Sequence, residues 1–232
     1  MTQSLGTILF VCTSHSDLGT TGHKTGFWME ELAAPYYAFK EAGFDIAIAS
    51  PMGGLPPVDP GSLKEETRVA ISDRFEADNE AMTCLSTSSK LKDIVGMAGY
   101  AGIFLVGGHG TMWDFPENPD LSRLLIEATK ANKVIGAVCH GVAGLLAEGV
   151  PSALKGKAVA GFSNEEEATV GLTDVVPFLL ESDLKTSGYA YESGPVFAPK
   201  VVTDGQLITG QNPGSSLAAA GAMIAVFSAA VA

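Results

Sequence analysis

Charge is scarce in this chain. Only 17% of its 232 residues are charged, and 14 Lys and Arg face 26 Asp and Glu, for a formal net charge of −12. So few basic residues argue against nucleic acid and against an anionic membrane surface as partners. Cysteine is scarce as well. Cys12, Cys84 and Cys139 are odd in number and share no spacing, so no disulfide framework is written here and a reducing, cytoplasmic setting is expected. The four histidines show no metal-ligand spacing such as His-x-x-x-His, and neither a metal nor an organic cofactor is expected. No basic region precedes the first apolar run, so no signal peptide is expected. The longest apolar stretch, residues 217–232, falls just short of the roughly 18 residues of a spanning helix and has no Lys or Arg flank. It reads as an Ala- and Gly-rich helix packed closely on a sheet, with no membrane association.

What the chain does have is apolar periodicity. With 46% hydrophobic residues it is long enough for one α/β domain over 1–232 with a full core. Strand-length apolar runs at 7–13, 44–49, 102–106, 134–138 and 158–161 alternate with helical patterns at 28–42, 119–131, 141–147 and 215–231. Residues 201–209 carry Asp204-Gly205, a two-residue hairpin signal. Such alternation predicts a mostly parallel central sheet with helices on both faces, whose sites lie outside the carboxyl ends of the strands. Residues 51–96 break the rhythm: a Pro/Gly-rich loop and a charged, weakly helical stretch predict a surface excursion rather than a second domain.

The most informative stretch is Val134-Ile135-Gly136-Ala137-Val138-Cys139-His140-Gly141. A strand stops at Cys139, small residues flank it at two positions either side, and a helical stretch follows. This is the pattern of a nucleophile elbow with Cys in the place of Ser. A thiol at a helix N-terminus is expected to have a depressed pKa. In the 28–42 helix, Trp28, Leu32, Pro35 and Phe39 form an apolar stripe, and Glu31 lies about 60° from its centre while Glu30 lies opposite. Glu31 is therefore the acid aimed inward, suited to donate or accept a proton. Gly107-Gly108-His109-Gly110 follows a strand and can bring backbone N–H groups to a reacting atom, as an oxyanion hole requires. His140 can serve as base or acid, and its own N–H as a second oxyanion donor. In Asn164-Glu165-Glu166-Glu167 a capping box with Asn164 as N-cap and Glu167 as its partner competes with a role for Glu167 in orienting His140. Aromatic residues at Trp28, Trp113 and Phe115 suggest a small covered pocket.

Together these residues resemble the ThiJ/PfpI superfamily, related to class I glutamine amidotransferases. The resemblance is carried by Lys24-Thr25-Gly26 with Glu30-Glu31, Ala49-Ser50-Pro51-Met52-Gly53-Gly54, Gly107-Gly108-His109-Gly110 and Ala137-Val138-Cys139-His140-Gly141. It extends through Gly161-Phe162 to Glu167 and through Leu207-Ile208-Thr209-Gly210-Gln211-Asn212-Pro213. The chain looks most like the chaperone-type branch that contains glutathione-independent glyoxalases. The resemblance implies a flavodoxin-like three-layer sandwich and a homodimer. It implies Cys139 as nucleophile, His140 as its catalytic neighbour, Glu31 as the acid beside the thiol and Glu167, or a neighbouring Glu, as the distal acid. Gly108 and His140 match the oxyanion donors, with His109 and Trp113 beside the substrate. The activity expected is conversion of methylglyoxal, a small reactive carbonyl compound, to lactate. A holdase chaperone or redox stress-response protein, and another cysteine hydrolase or lyase such as a deglycase, isocyanide hydratase or peptidase, are the alternatives.

Overall fold

The computed structural model describes residues 4–229. Its strands in chain order are β1 (Thr7–Val11), β2 (Asp45–Ser50), β3 (Ser89–Lys90), β4 (Gly102–Leu105), β5 (Val134–Val138), β6 (Ala158–Val159), β7 (Ala190–Tyr191), β8 (Val201–Asp204) and β9 (Leu207–Gly210). Seven of them form one sheet in the order β3-β2-β1-β4-β5-β9-β8, parallel throughout except for the β8–β9 hairpin at one edge. The central strands β4 and β5 are buried along their whole length. That is why they read in sequence as unbroken apolar runs rather than as alternating ones.

The helices are α1 (Met29–Glu41), α2 (Ala70–Ala77), α3 (Asn79–Ser86), α4 (Thr111–Asp114), α5 (Pro119–Lys130), α6 (Val150–Ala153), α7 (Asn164–Thr169), α8 (Leu180–Thr186) and α9 (Ser216–Ala229). Helices α1 and α9 pack on each other and α9 against β5 and β9, while α5 packs against β4 and β5. The small residues of the apolar C-terminal stretch and its neighbours permit close approach: a Cβ added at Gly136 would lie 2.2 Å from the sulfur of Met223. Among the described residues no helix is long and apolar enough to cross a membrane. The last two residues of the helix expected at 215–231 lie outside the described residues.

Four sequence expectations change. The stretch after Cys139 is a 3-10 helix, Cys139–Leu146, that begins at the cysteine itself, not an α-helix over 141–147. Residues 158–161 do not extend the main sheet: β6 pairs only with β7, in a separate two-stranded sheet. The hairpin turns on Gly205-Gln206, since Asp204 still pairs with Leu207. In the 51–96 segment the single weakly helical stretch becomes two helices divided at Asp78, whose carboxylate caps α3, and the segment adds a short strand, β3, to the sheet edge beside β2. It packs on α1 through Phe75, whose ring meets those of Tyr36 and Tyr37 edge to face. It also holds the chain just before α1, where the buried Thr25 hydroxyl donates to Asp59 at 2.7 Å.

Candidate active site

The strand order reverses at β1 and β4, and the carboxyl ends of β4 and β5 carry the reactive groups. Cys139 follows β5 directly and sits at φ 53°, a left-handed conformation that few non-glycine residues adopt and that costs free energy. This backbone turns the thiol out of the sheet and lets the 3-10 helix begin at once. Gly141 is required two residues on, because a Cβ there would fall 2.7 Å from the carbonyl oxygen of Leu105. The elbow is thus a steric consequence of a helix start pressed against β4.

Two acids approach the thiol by different routes. Glu31, in the first turn of α1, is 0% exposed, whereas Glu30 beside it is half-buried. Glu31 reaches Cys139 only because residue 107 has no side chain. A Cβ on Gly107 would lie 2.1 Å from Glu31 Oε2 and 2.9 Å from the Cβ of Cys139. Neither Glu31 oxygen makes a hydrogen bond of ordinary geometry. Its polar neighbours are the Cys139 thiol and the Gly107 amide, and they offset burial only in part, so its pKa is pushed up to about 8.

On the other side, His140 Nδ1 is 3.3 Å from the Cys139 sulfur, and His140 Nε2 is 2.7 Å from Glu167 Oε2. His109 Nε2 lies 2.9 Å from the other carboxylate oxygen, Oε1. Burial alone would raise the pKa of Glu167, but the two imidazoles outweigh it and hold the carboxyl well below its ordinary range. An ionised carboxylate only accepts, so each histidine donates its Nε2–H to it. Burial, and then the His109 ring with its centroid 3.9 Å away, lower His140 to about 4 and keep it neutral. Its Nδ1 lone pair therefore faces the thiol. The ligand atoms of His109, His140 and Glu167 lie within 4.8 Å of one another, close enough for a metal ion. The Nε2–H of each imidazole donates to one oxygen of the carboxylate, so the three side chains form a hydrogen-bonded triad.

The thiol itself corrects an expectation. Burial, and then the charge of Glu31, push the Cys139 pKa well above its ordinary value, against the smaller lowering effect of the His140 amide. A short 3-10 start does not offset a carboxyl enclosed beside the sulfur. Cys139 at rest is a neutral thiol, poised between a neutral base and a protonated acid.

The capping box is also displaced by one residue. Ser163, not Asn164, is the N-cap of α7, and Glu166, not Glu167, is its partner. That leaves Glu167 free to turn inward to His140, while Glu165 is exposed. A cavity of about 310 Å³ opens beside the thiol, lined at one end by Gly108, His109, Cys139 and His140. Gly108 adopts φ 114°, and its amide has no acceptor among the described residues, as an oxyanion donor needs. Trp113 is not in this cavity. It stacks on His15 at 4.9 Å and lines a different pocket. Trp28 takes the place expected for it, and Phe115 is in the core. Phe162, Phe197, Thr67, Val170 and Pro213 complete the wall. Of these, Phe162 and Pro213 stand in motifs that carry the family resemblance and were within reach of sequence reasoning; Thr67, Val170 and Phe197 come from loops and a helix end with no local signal.

The geometry can be set beside known proteins. The model of the DJ-1/PfpI family matches residues 24–225, and the chain belongs to that family. The crystal structure of Francisella tularensis Rapid Encystment Protein 24 KDa is 40% identical, with a TM-score of 0.90 over 96% of this chain and 99% of that one. Crystalline glyoxalase III from Candida albicans is 28% identical, with a TM-score of 0.88 over 96% and 97% of the two chains. Glutathione-independent glyoxalase HSP31 of Saccharomyces cerevisiae is 30% identical over 222 residues, 90% of this chain and 92% of its own.

Proposed function

We propose that this DJ-1/PfpI protein is a glutathione-independent, thiol-dependent glyoxalase that converts methylglyoxal to lactate. The observation that carries the reading is the pairing at one sulfur: a neutral imidazole nitrogen on one side and a protonated carboxyl on the other. The similarity to proteins named as glyoxalases supports it.

The chemistry follows from the protonation states. Cys139 Sγ adds to the aldehyde carbon as its proton passes to His140 Nδ1, and Glu31 gives its proton to the new alkoxide. The product is a hemithioacetal beside a Glu31 carboxylate and a His140 imidazolium held by Glu167. Glu31, now ionised, takes the hydrogen from the same carbon. The enediolate that results lies against the Gly108 and His140 amides. Glu31 delivers that proton to the adjacent carbon, His140 protonates the oxygen there, and the former aldehyde oxygen loses its proton to Glu31. A thioester is left, with His140 neutral and Glu31 protonated as at the start. Water attacks it, and the thiol leaves with the proton that His140 takes from that water. One carbon is oxidised and its neighbour reduced, so no external oxidant enters.

The compact cavity suits a small reactive carbonyl compound better than an extended polypeptide. The assembly proposed is a homodimer, checked by sedimentation at micromolar concentration, and the setting is the cytoplasm. The deciding experiment is lactate formation from millimolar methylglyoxal without glutathione. Wild type should form lactate and Cys139→Ala should not; equal rates for the two would overturn the proposal.

A further inference from the structure

The catalytic cavity is larger and more apolar than methylglyoxal requires. At about 310 Å³ it has the volume of roughly ten water-sized groups, and a three-carbon oxoaldehyde fills half of that or less. The polar groups that do the chemistry are gathered at one end. Apart from Thr67, the remainder of the wall is apolar: Trp28, Phe162, Val170, Phe197 and Pro213. The aromatic rings run as a continuous series from the thiol outward. His140 lies 4.3 Å from Phe162, and Phe162 lies 6.3 Å from Phe197. At the outer end Val170 and Phe197 are 44% and 47% exposed, so the apolar lining continues to the mouth of the cavity.

Phe197 is not there by accident of a loose loop. Its φ is 56°, a left-handed conformation that is costly for a bulky aromatic residue. The conformation is enforced by Glu166, a fully buried carboxylate that accepts from the Phe197 amide at 2.9 Å. The same carboxylate accepts from Asn212 Nδ2 at 2.8 Å, and that amide group also donates to the Ala198 carbonyl at 2.8 Å. Glu166 also holds the Ser163 amide and hydroxyl at the start of α7, the helix whose next residue is Glu167. One buried acid thus ties the segment bearing Phe197 to the helix bearing the triad carboxylate. The ring is fixed relative to the reacting atoms.

We propose that the site is built for 2-oxoaldehydes carrying an aromatic or branched apolar substituent, with Phe197 as a specificity-determining residue. The proposal rests on the glyoxalase reading above and names its preferred substrate class. The two carbonyl groups sit at the Cys139, His140 and Gly108 end, and the substituent lies against Phe162 and Phe197. The conversion is the same internal one: phenylglyoxal and water give mandelate, with the aldehyde carbon oxidised, the ketone carbon reduced and no other reagent.

The test compares kcat/KM for phenylglyoxal and methylglyoxal, without glutathione, in wild type, Phe197→Ala and Phe197→Gly. In parallel, alkylation of Cys139 by phenacyl bromide and by iodoacetamide is followed by peptide mass, each rate divided by that of a free thiol. Wild type should favour phenylglyoxal, and both substitutions should reduce the phenylglyoxal-to-methylglyoxal ratio by about tenfold or more, the range set by losing one group from an apolar pocket. The phenacyl preference at Cys139 should fall with it. Methylglyoxal turnover with no preference for phenylglyoxal, or a preference that the Phe197 variants leave intact, overturns this inference and spares the glyoxalase reading. No turnover of either oxoaldehyde, with a phenacyl preference that depends on Phe197, overturns the glyoxalase reading and leaves the apolar subsite standing.

Discussion

The two carboxyl groups that flank Cys139 are treated in opposite ways by the fold. Glu31 enters from α1 into a space where neither of its oxygens finds an ordinary hydrogen bond, and its pKa rises to about 8. Glu167 enters from α7, is nearly as buried, and accepts from two imidazoles that hold it ionised. Burial has the same sign at both sites, so the number of donors decides which acid keeps its proton. The starved carboxyl is the one that can move a proton during a reaction. The saturated one fixes a tautomer and a ring.

That contrast is broken most directly at Glu31. Glu31→Gln keeps the shape and removes the transferable proton, and should reduce kcat for methylglyoxal by about 10²–10⁴-fold, the usual range for a lost acid or base. Glu30→Gln, on the half-buried position next to it, should stay within about twofold. Gly107→Ala offers a second route to the same loss, since the new Cβ would overlap Oε2 of Glu31. Equal kinetics for the Glu30 and Glu31 variants would show that the inward acid is not part of the chemistry.

On the other side, Glu167→Gln should also reduce kcat, by up to about 10⁴-fold, because a neutral amide no longer fixes the tautomer that turns the His140 Nδ1 lone pair to the sulfur. The pH profiles of wild type separate the two sides. Activity should fall above about pH 8, as the Glu31 and Cys139 pair loses the proton that Glu31 must donate, and below about pH 4, as His140 gains one. A wild-type alkaline limb centred below pH 6 would contradict the enclosed, protonated acid.

Stability should respond to pH with the same asymmetry. The folded pKa of Glu31 is raised from 4.5 to about 8, so the folded state binds the extra proton between those values and loses stability as pH rises through that window. Glu31→Gln removes this slope. The variant should gain on wild type by a few kcal/mol between pH 5 and pH 8, at about 1.4 kcal/mol per pKa unit, as read from urea midpoints. Glu167 has the opposite sign. Its folded pKa is depressed, so its contribution is present above the ordinary carboxylate pKa and is lost only as acid protonates it.

Much of this arrangement was legible in the chain. The elbow at Cys139 is written in small residues and an abrupt end to an apolar strand, both local features. The inward face of Glu31 follows from helix geometry, because the apolar stripe of α1 fixes its rotation. The parallel sheet follows from strand runs too apolar to have a wet side. Other features depend on chain segments far apart in sequence. Trp113 and Trp28 carry the same local signal, and only the packing of α4 on His15 sends Trp113 away from the cavity. The thiol pKa was read from a helix terminus alone, while the dominant effects come from burial and from a carboxyl 108 positions earlier in the numbering. The partnership of His109 with Glu167 joins the loop before α4 to helix α7 across 58 residues. Phe197 owes its place to a buried acid on another element, and nothing adjacent to it in the chain announces that.

The smallest effect sharpens the comparison inside the run Glu165-Glu166-Glu167. These three neighbours share composition and helix, yet one is exposed, one is a capping partner and one serves the triad. The division is set by which residue caps α7. With Ser163 as N-cap, the third helical position is Glu166, whose carboxylate turns back to the Ser163 amide at 2.9 Å. Glu167, one residue further and about 100° around the helix, then faces His140. Ser163→Ala removes the hydroxyl that accepts from the Glu166 amide at 3.1 Å and should cost about 0.5–2 kcal/mol of stability in urea unfolding. Glu166 keeps its bonds to Asn212, Phe197 and the residue 163 amide, so the helix start should hold its register. The expected activity loss is therefore only a few-fold, far below that of Glu167→Gln. A Ser163→Ala variant as inactive as Glu167→Gln would mean that the cap, rather than the remaining bonds of Glu166, decides which of the two inner acids reaches the histidines.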